Sequence, residues 1–177
     1  MPQILSRRVV YQVPWFKVAE KRVSGSDKKP FYSLKLADYT TLFALTTKNE
    51  VLLVRQYRPA VERTMLELPS GVVDPGESPL AAAKRELVEE TGYRAGKVYF
   101  LGKLWTDTGR LSNRLWCYYT PDAVKAAGTH RMEKGMAVVK LSKKKFDAML
   151  RGGRFGHALN LAVIALAVSK RKYGMEL

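Results

Sequence analysis

The stretch Gly71-Val72-Val73-Asp74-Pro75-Gly76-Glu77-Ser78-Pro79-Leu80-Ala81-Ala82-Ala83-Lys84-Arg85-Glu86-Leu87-Val88-Glu89-Glu90-Thr91-Gly92-Tyr93 decides how this chain is read. Its punctuation marks a loop followed by one helix. Asp74-Pro75-Gly76 is a turn, Ser78 is a suitable N-cap, Pro79 fits the first helical position, and Gly92 fits the residue just past the helix end. A helix over Pro79 to Thr91 follows. Leu80, Ala83 and Leu87 recur at three- and four-residue steps and are expected to face a core, while Glu86, Glu89 and Glu90 share another face.

Two readings compete for that acidic face. A solvated stripe balanced by Lys84 and Arg85 is what most charge runs on helices are. A stripe of that kind has no need of a glycine at Gly71 or of Glu77 upstream, whereas a hard divalent cation needs several converging oxygens at about 2.0 to 2.6 Å. Gly71, Glu77, Arg85, Glu86, Glu89, Glu90 and Gly92 are seven positions at set intervals. At roughly 6% usage per residue, a chance match of seven has a frequency of ~10⁻⁹ per start position. The metal reading outweighs the stripe.

This run resembles the Nudix box, the signature of hydrolases that cleave a nucleoside diphosphate linked to another group. All seven fixed positions are present, and Tyr93 stands where the family usually carries an aliphatic residue, a packing variation. The resemblance extends to Val54-Arg55-Gln56-Tyr57-Arg58-Pro59, to Glu67-Leu68-Pro69-Ser70-Gly71 and to the N-terminal segment, which are similar to the branch acting on ADP-ribose and related sugar nucleotides. It implies an α/β (α+β) fold: the Nudix α/β/α sandwich with a mixed sheet, preceded by a small N-terminal antiparallel β hairpin region. In domain terms, residues 1–38 would form the N-terminal β region for dimerisation and base binding, and residues 39–177 the hydrolase domain.

The remaining patterns are coarser. Phe16 to Val23 and Phe31 to Leu36 flank Ser24-Gly25-Ser26-Asp27 and read as a hairpin; Thr40 to Thr46 and Val51 to Tyr57, joined by Thr47-Lys48-Asn49-Glu50, read as a second. Met65 to Leu68, Val98 to Leu104, Leu115 to Tyr119 and Met136 to Leu141 read as further strands. Ser142 caps a helix to about Leu150, Gly152-Gly153 breaks it, and an apolar helix begins near His157.

A chain of 177 residues with 46% hydrophobic and 27% charged residues suits one well-buried core. The apolar run Ala158 to Val168 is far shorter than the ~18 to 20 residues of a membrane span and is followed by Lys170-Arg171-Lys172. Met1 to Arg8 lacks a hydrophobic segment and a small-residue cleavage site, so a cytoplasmic protein is expected. Cys117 is the only cysteine, which excludes an internal disulfide and a cysteine-rich zinc site. The net charge of +15 reads first as solvated surface, in clusters such as Lys143-Lys144-Lys145, second as steering of an anionic substrate, and third as nucleic-acid affinity. No recognisable nucleic-acid motif is present and the Trp and Tyr residues do not form a basic–aromatic ladder, so nucleic acid is not expected as a partner.

The resemblance also assigns roles. Glu86, Glu90 and the backbone carbonyl of Ser70 would hold Mg²⁺, with Mn²⁺ a possible substitute; Glu89 would complete the cluster or position water. Glu77 and Arg85 would brace loop against helix, and Gly71 and Gly92 would serve the backbone. Arg58 is a candidate phosphate ligand against the alternative of a surface ion pair. Trp15, Phe16, Phe31 and Tyr32 are candidates to stack a base or to pack in an interface. In the loop Thr106 to Arg114, relatives carry a proline and an acidic residue where this chain has Thr108 and Asn113, which loosens strict ADP-ribose specificity and leaves room for other nucleoside diphosphate sugars, with Arg110, Asn113 or Arg114 near the sugar or phosphates.

His130 and His157 are assigned no role. The general base is left between Glu133, in the loop Gly128 to Gly135, and Glu89. The expected activity is Mg²⁺-dependent hydrolysis of nucleoside diphosphate sugars by a homodimer that pairs through roughly Trp15 to Leu36. The rivals are a Nudix hydrolase of dinucleoside polyphosphates, coenzyme A or capped RNA, and a non-catalytic nucleotide- or RNA-binding module.

Overall fold

The computed structural model describes residues 1–26, 29–128, 132 and 135–175. Two runs of alternating side chains organise it. Strand β4 (Tyr39–Thr46) sends Phe43 and Leu45 to one side and Leu42 and Ala44 to the other, and β5 (Glu50–Arg58) does the same with Val51 and Leu53 against Leu52. All seven are buried, so both strands are covered on both faces. Helix α1 (Pro79–Thr91) covers one face through Ala83 and Leu87. Helices α2 (Lys143–Arg151) and α3 (Ala158–Ser169) cover the other through Phe146, Val163, Ile164 and Ala167. The result is the expected α/β/α sandwich.

The sheet is mixed. Strands β4 and β10 (Arg114–Lys125) are parallel, while β5 pairs antiparallel with β4, β6 (Arg63–Glu67) and β11 (Ala137–Ser142). Short β7 (Ser70–Val72) pairs with β4, and β8 (Tyr93–Arg94) and β9 (Tyr99–Trp105) pair with β10. Strand β10 runs well past the expected end at Tyr119. It crosses Pro121 because its register slips between Thr120 and Ala123, where a residue without an N–H breaks no ladder bond.

The N-terminal region is a three-stranded antiparallel sheet, β1 (Ile4–Gln12), β2 (Lys17–Val23) and β3 (Phe31–Lys35), so the expected hairpin is joined by a strand that the sequence pattern did not mark. Every residue of β1 is exposed, and a strand with no buried face has no alternation to read. This sheet is tied to the loop after β9. Leu34 N–H donates to the Arg110 carbonyl at 2.8 Å and Ser112 N–H donates to the Leu34 carbonyl at 3.1 Å.

Helix α1 has the predicted limits and caps. Ser78 Oγ accepts from Ala81 N–H at 3.2 Å, and Gly92, at φ 70°, donates its N–H to the Val88 carbonyl. Leu80 departs from expectation: it is exposed, and the buried face is carried by Ala82, Ala83, Leu87 and Thr91. Small residues let the helix lie close on the sheet. No described helix is long and apolar enough to cross a membrane.

The core under α2 and α3 is a ring cluster. Phe43 lies 4.9 Å from Tyr173, 5.5 Å from Tyr119 and 5.9 Å from Phe146, centroid to centroid. Phe43→Ala opens a cavity among these rings and is expected to cost about 3–5 kcal/mol in urea unfolding. A loss below about 1 kcal/mol would show that the cluster does not hold the helices to the sheet.

Candidate active site

The site is built where β7 meets α1. An added Cβ on Gly71 would lie 2.0 Å from the Glu86 carboxyl carbon, so the position must be glycine for the carboxylate to lie across the backbone. Beside it Glu90 Oε2 accepts from the Ser70 N–H at 2.8 Å. The two carboxylates of one helical turn are thereby pinned to two successive residues of the loop. Ser70 is fixed in turn: its hydroxyl donates to the Leu68 carbonyl and bonds Thr41 Oγ1, both at 2.8 Å.

Arg85 holds the rest of the cluster. Its Nε and Nη2 grip the two Glu77 oxygens at 3.1 and 2.9 Å, Nη2 also reaches the Val72 carbonyl at 3.1 Å, and Nη1 bonds Glu86 at 2.7 Å and Glu89 at 3.0 Å. These contacts raise the arginine further above its already high range and hold Glu77 below the usual carboxylate range. Glu77 in the loop and Arg85 on the helix are thus tied by a two-point ion pair.

Burial acts on Glu86 and Glu90 in the opposite sense. It raises Glu86, and it pushes Glu90 up to about 8 despite the bond from Ser70. Such carboxylates fit a divalent cation, whose charge offsets the cost of ionising them away from water. Among the described residues no three carboxylate, histidine or cysteine side chains converge into a metal set. The reason is visible at Glu89, which is 57% exposed and turned to Arg85. Glu86 and Glu90, rather than all three carboxylates, are the buried donors on this turn.

A cleft of about 470 Å³ opens next to Ser70, between β4, β6 and the start of α3. Arg58 lies in its wall, held by a bidentate bond to buried Glu67 (Nε to Oε1 2.9 Å, Nη2 to Oε2 2.6 Å). Among the described residues its Nη1 has no partner. Asn113 also lines the cleft; its Oδ1 accepts from Thr106 Oγ1 at 2.9 Å, which leaves the amide nitrogen for another acceptor. Arg110 is far more exposed and approaches Asp107 at 3.9 Å. Trp15 lines a shallower neighbouring cleft that shares Leu36 with the first. Glu133 and His130 lie outside the described residues.

Three features escaped the sequence reading. Glu67 pairs with Arg58, and a buried acid in a strand was the available signal. His157 caps α3 and lines the cleft, and Asn160 Oδ1 accepts the Leu68 N–H at 2.8 Å, fixing the chain just before Ser70. Asp38 accepts from the Arg114 N–H and from Trp116 Nε1, at 2.9 and 3.0 Å, and so anchors the end of the loop that carries Asn113.

Comparison with known proteins bears on this geometry. The NUDIX domain model matches residues 36–142, more than half of the chain. An ADP-ribose pyrophosphatase of Bacillus subtilis is 40% identical over 68 residues, 38% of this chain and 37% of that protein. An ADP-sugar pyrophosphatase of Mus musculus is 57% identical over 44 residues, 25% of this chain and 20% of that protein. The chain thus spans little more than a third of the first relative's length and a fifth of the second's. The crystal structure of an ADP compounds hydrolase superposes with a TM-score of 0.80 at 23% identity, covering 97% of this chain and 94% of that one, a likeness of fold.

The raised carboxyl has a thermodynamic consequence. Glu90 titrates near 4.5 when unfolded and near 8 when folded, so folding favours its protonated form. The penalty is absent below the unfolded value and complete above the folded one. The melting temperature of the metal-free protein is therefore expected to fall, relative to Glu90→Gln, between pH values of about 5 and 8, and added Mg²⁺ should narrow the gap. Parallel pH profiles for the two proteins would contradict the burial of this charge.

Proposed function

The chain belongs to the Nudix family, and from that premise we propose that it hydrolyses the diphosphate bond of ADP-ribose or a related nucleoside diphosphate sugar, with Mg²⁺ as cofactor. The products are a nucleoside monophosphate and a sugar phosphate. The observation that carries the reading is the placement of Glu86 over Gly71 and of Glu90 on the N–H of Ser70, a residue that lines a cleft large enough for a nucleotide. The pyrophosphatase names of the two relatives support the substrate class.

In this reading Glu86, Glu90 and the Ser70 carbonyl hold the cation. When bound, it supplies neutralisation of the diphosphate and activation of water. Arg85 and Glu77 keep the ligand carboxylates in register with the loop. Arg58, oriented by Glu67, offers Nη1 to a phosphate oxygen, and a guanidinium already locked by a partner loses little freedom on binding. Asn113 offers its amide to the sugar, with Arg110 at the rim. Trp15, across Leu36 from the main cleft, stacks the base.

Glu86→Gln and Glu90→Gln are each expected to lower kcat by orders of magnitude without loss of fold, since each removes a charge and a ligand but little packing. Rates like those of the unaltered protein at saturating Mg²⁺ would sink the assignment. The base is compared in the same assay: a loss below about tenfold in Glu133→Gln, against the ~10² to 10⁴ typical of general-base catalysis, gives the role to Glu89.

The protein is also proposed to act as a homodimer. Strand β1 exposes Ile4, Leu5, Val9, Val10 and Tyr11, and Phe31 and Tyr32 are exposed on β3 of the same small sheet. Apolar surface of that kind on a three-stranded sheet calls for a cover. Light scattering at micromolar concentration should give twice the chain mass; a fully active monomer would contradict it.

A further inference from the structure

We propose that the α1-side face of β9 and β10 binds single-stranded nucleic acid along a ladder of aromatic rings and cations. The register of these two strands sets Trp105 beside Arg114, Lys103 beside Trp116 and Phe100 beside Tyr118. The Arg114 guanidinium carbon lies 4.3 Å from the Trp105 ring centroid, and Lys103 Nζ lies 4.9 Å from that of Trp116. Phe100 lies 5.5 Å from Tyr118 and 6.1 Å from Trp116. Phe100 and Trp105 remain 54% and 53% exposed, with one face of Trp105 covered by Arg114, so the outermost rings keep surface open to solvent. The ladder is invisible along the sequence because its rungs alternate between two strands joined by a loop.

The chemistry of the face selects its occupant. Among the described residues neither Lys103 nor Arg114 forms an ion pair with a carboxylate, and Asp38 turns its two oxygens to neutral donors, the Arg114 N–H and Trp116 Nε1. The face presents two cations, each set over a ring, on a chain of net charge +15. An acidic peptide would satisfy the cations and leave the rings uncovered, and a duplex hides the planes of its bases. A single strand supplies both phosphates and stackable planes, in alternation.

Strand β9 pairs only with β10 among the described strands, so the track lies at a sheet edge that a flexible chain can reach. Phe100 and Trp105 are five residues apart along the strand, roughly 16 Å, enough for several nucleotides. None of the ladder residues lines the cleft that holds Arg58 and Asn113. Binding here stands or falls independently of the hydrolytic reading.

The test is fluorescence anisotropy of the full chain with a labelled single-stranded RNA of mixed sequence, about 12 nucleotides long, over a KCl series. Phe100→Ser and Lys103→Glu are each expected to weaken binding by about tenfold or more, and Lys103→Glu should lower the salt slope by about one. Lys144→Glu makes the same charge change on the exposed far side of α2 and should cost less than about threefold. The same sequence as a duplex should bind more weakly. All three positions are exposed, so folding survives, and hydrolysis of ADP-ribose should be unchanged in each variant.

No binding below about 10⁻⁴ M would overturn the proposal. So would an equal loss in Lys144→Glu, which would reduce the effect to diffuse charge. Unchanged affinity in Phe100→Ser would remove the stacking, and a dimer that Phe100→Ser converts to monomer would mean that a second copy covers this face.

Discussion

The close approach of the Glu86 carboxylate to the backbone of Gly71 is the constraint on which the site depends. A side chain at Gly71 and the carboxylate of Glu86 cannot occupy the same 2.0 Å. With the glycine in place, the loop can lie flat against the helix, Ser70 can donate to Glu90, and Arg85 can reach both Glu77 and the Val72 carbonyl. Each of those contacts spans loop and helix. The charges of α1 therefore act on the loop as a unit rather than as a solvated stripe.

What was legible in the sequence is what local chemistry dictates. Ser78, Pro79 and Gly92 fix the ends of α1 within their own neighbourhood, and Ser142 does the same for α2, so both helices could be read in place. Strands β4 and β5 were legible because their runs are apolar without interruption. Features made by distant partners were not. Strand β1 has no buried face to impose a pattern, the far end of β10 exists only because β8 and β4 pair with it, and Leu80 has the helical phase of Leu87 yet is left exposed. The rungs on β9 and β10 belong to the same class, since no single strand contains them.

The candidate site divides along the same line. The box residues lie within one loop and one helix, and their spacing alone brought them together. The wall of the cleft comes from β5, β6, the loop after β9 and the start of α3. There Arg58 meets Glu67 across a hairpin, and Asn160 reaches Leu68 from a helix 92 residues away. Arg58 illustrates why a functional and a structural reading need not exclude one another. The ion pair with Glu67 engages two of its three guanidinium nitrogens, which fixes the direction of the third.

Charge distribution supports the proposed cation. The chain as a whole is strongly positive, yet the box gathers Asp74, Glu77, Glu86 and Glu89 around Arg85, and Glu90 beside them feels the guanidinium of Arg58, which is itself paired with Glu67. Six carboxylates against two guanidiniums leave a local excess of negative charge, and burial already pushes Glu86 and Glu90 toward protonation. A diphosphate brought beside that cluster would meet repulsion at short range, where screening by salt is weakest. Basic residues elsewhere can draw an anion to the protein, but only positive charge placed between the carboxylates and the phosphates can seat it. A divalent ion meets that requirement with two charges and several coordination positions, whereas an additional lysine would bring one charge and a long side chain.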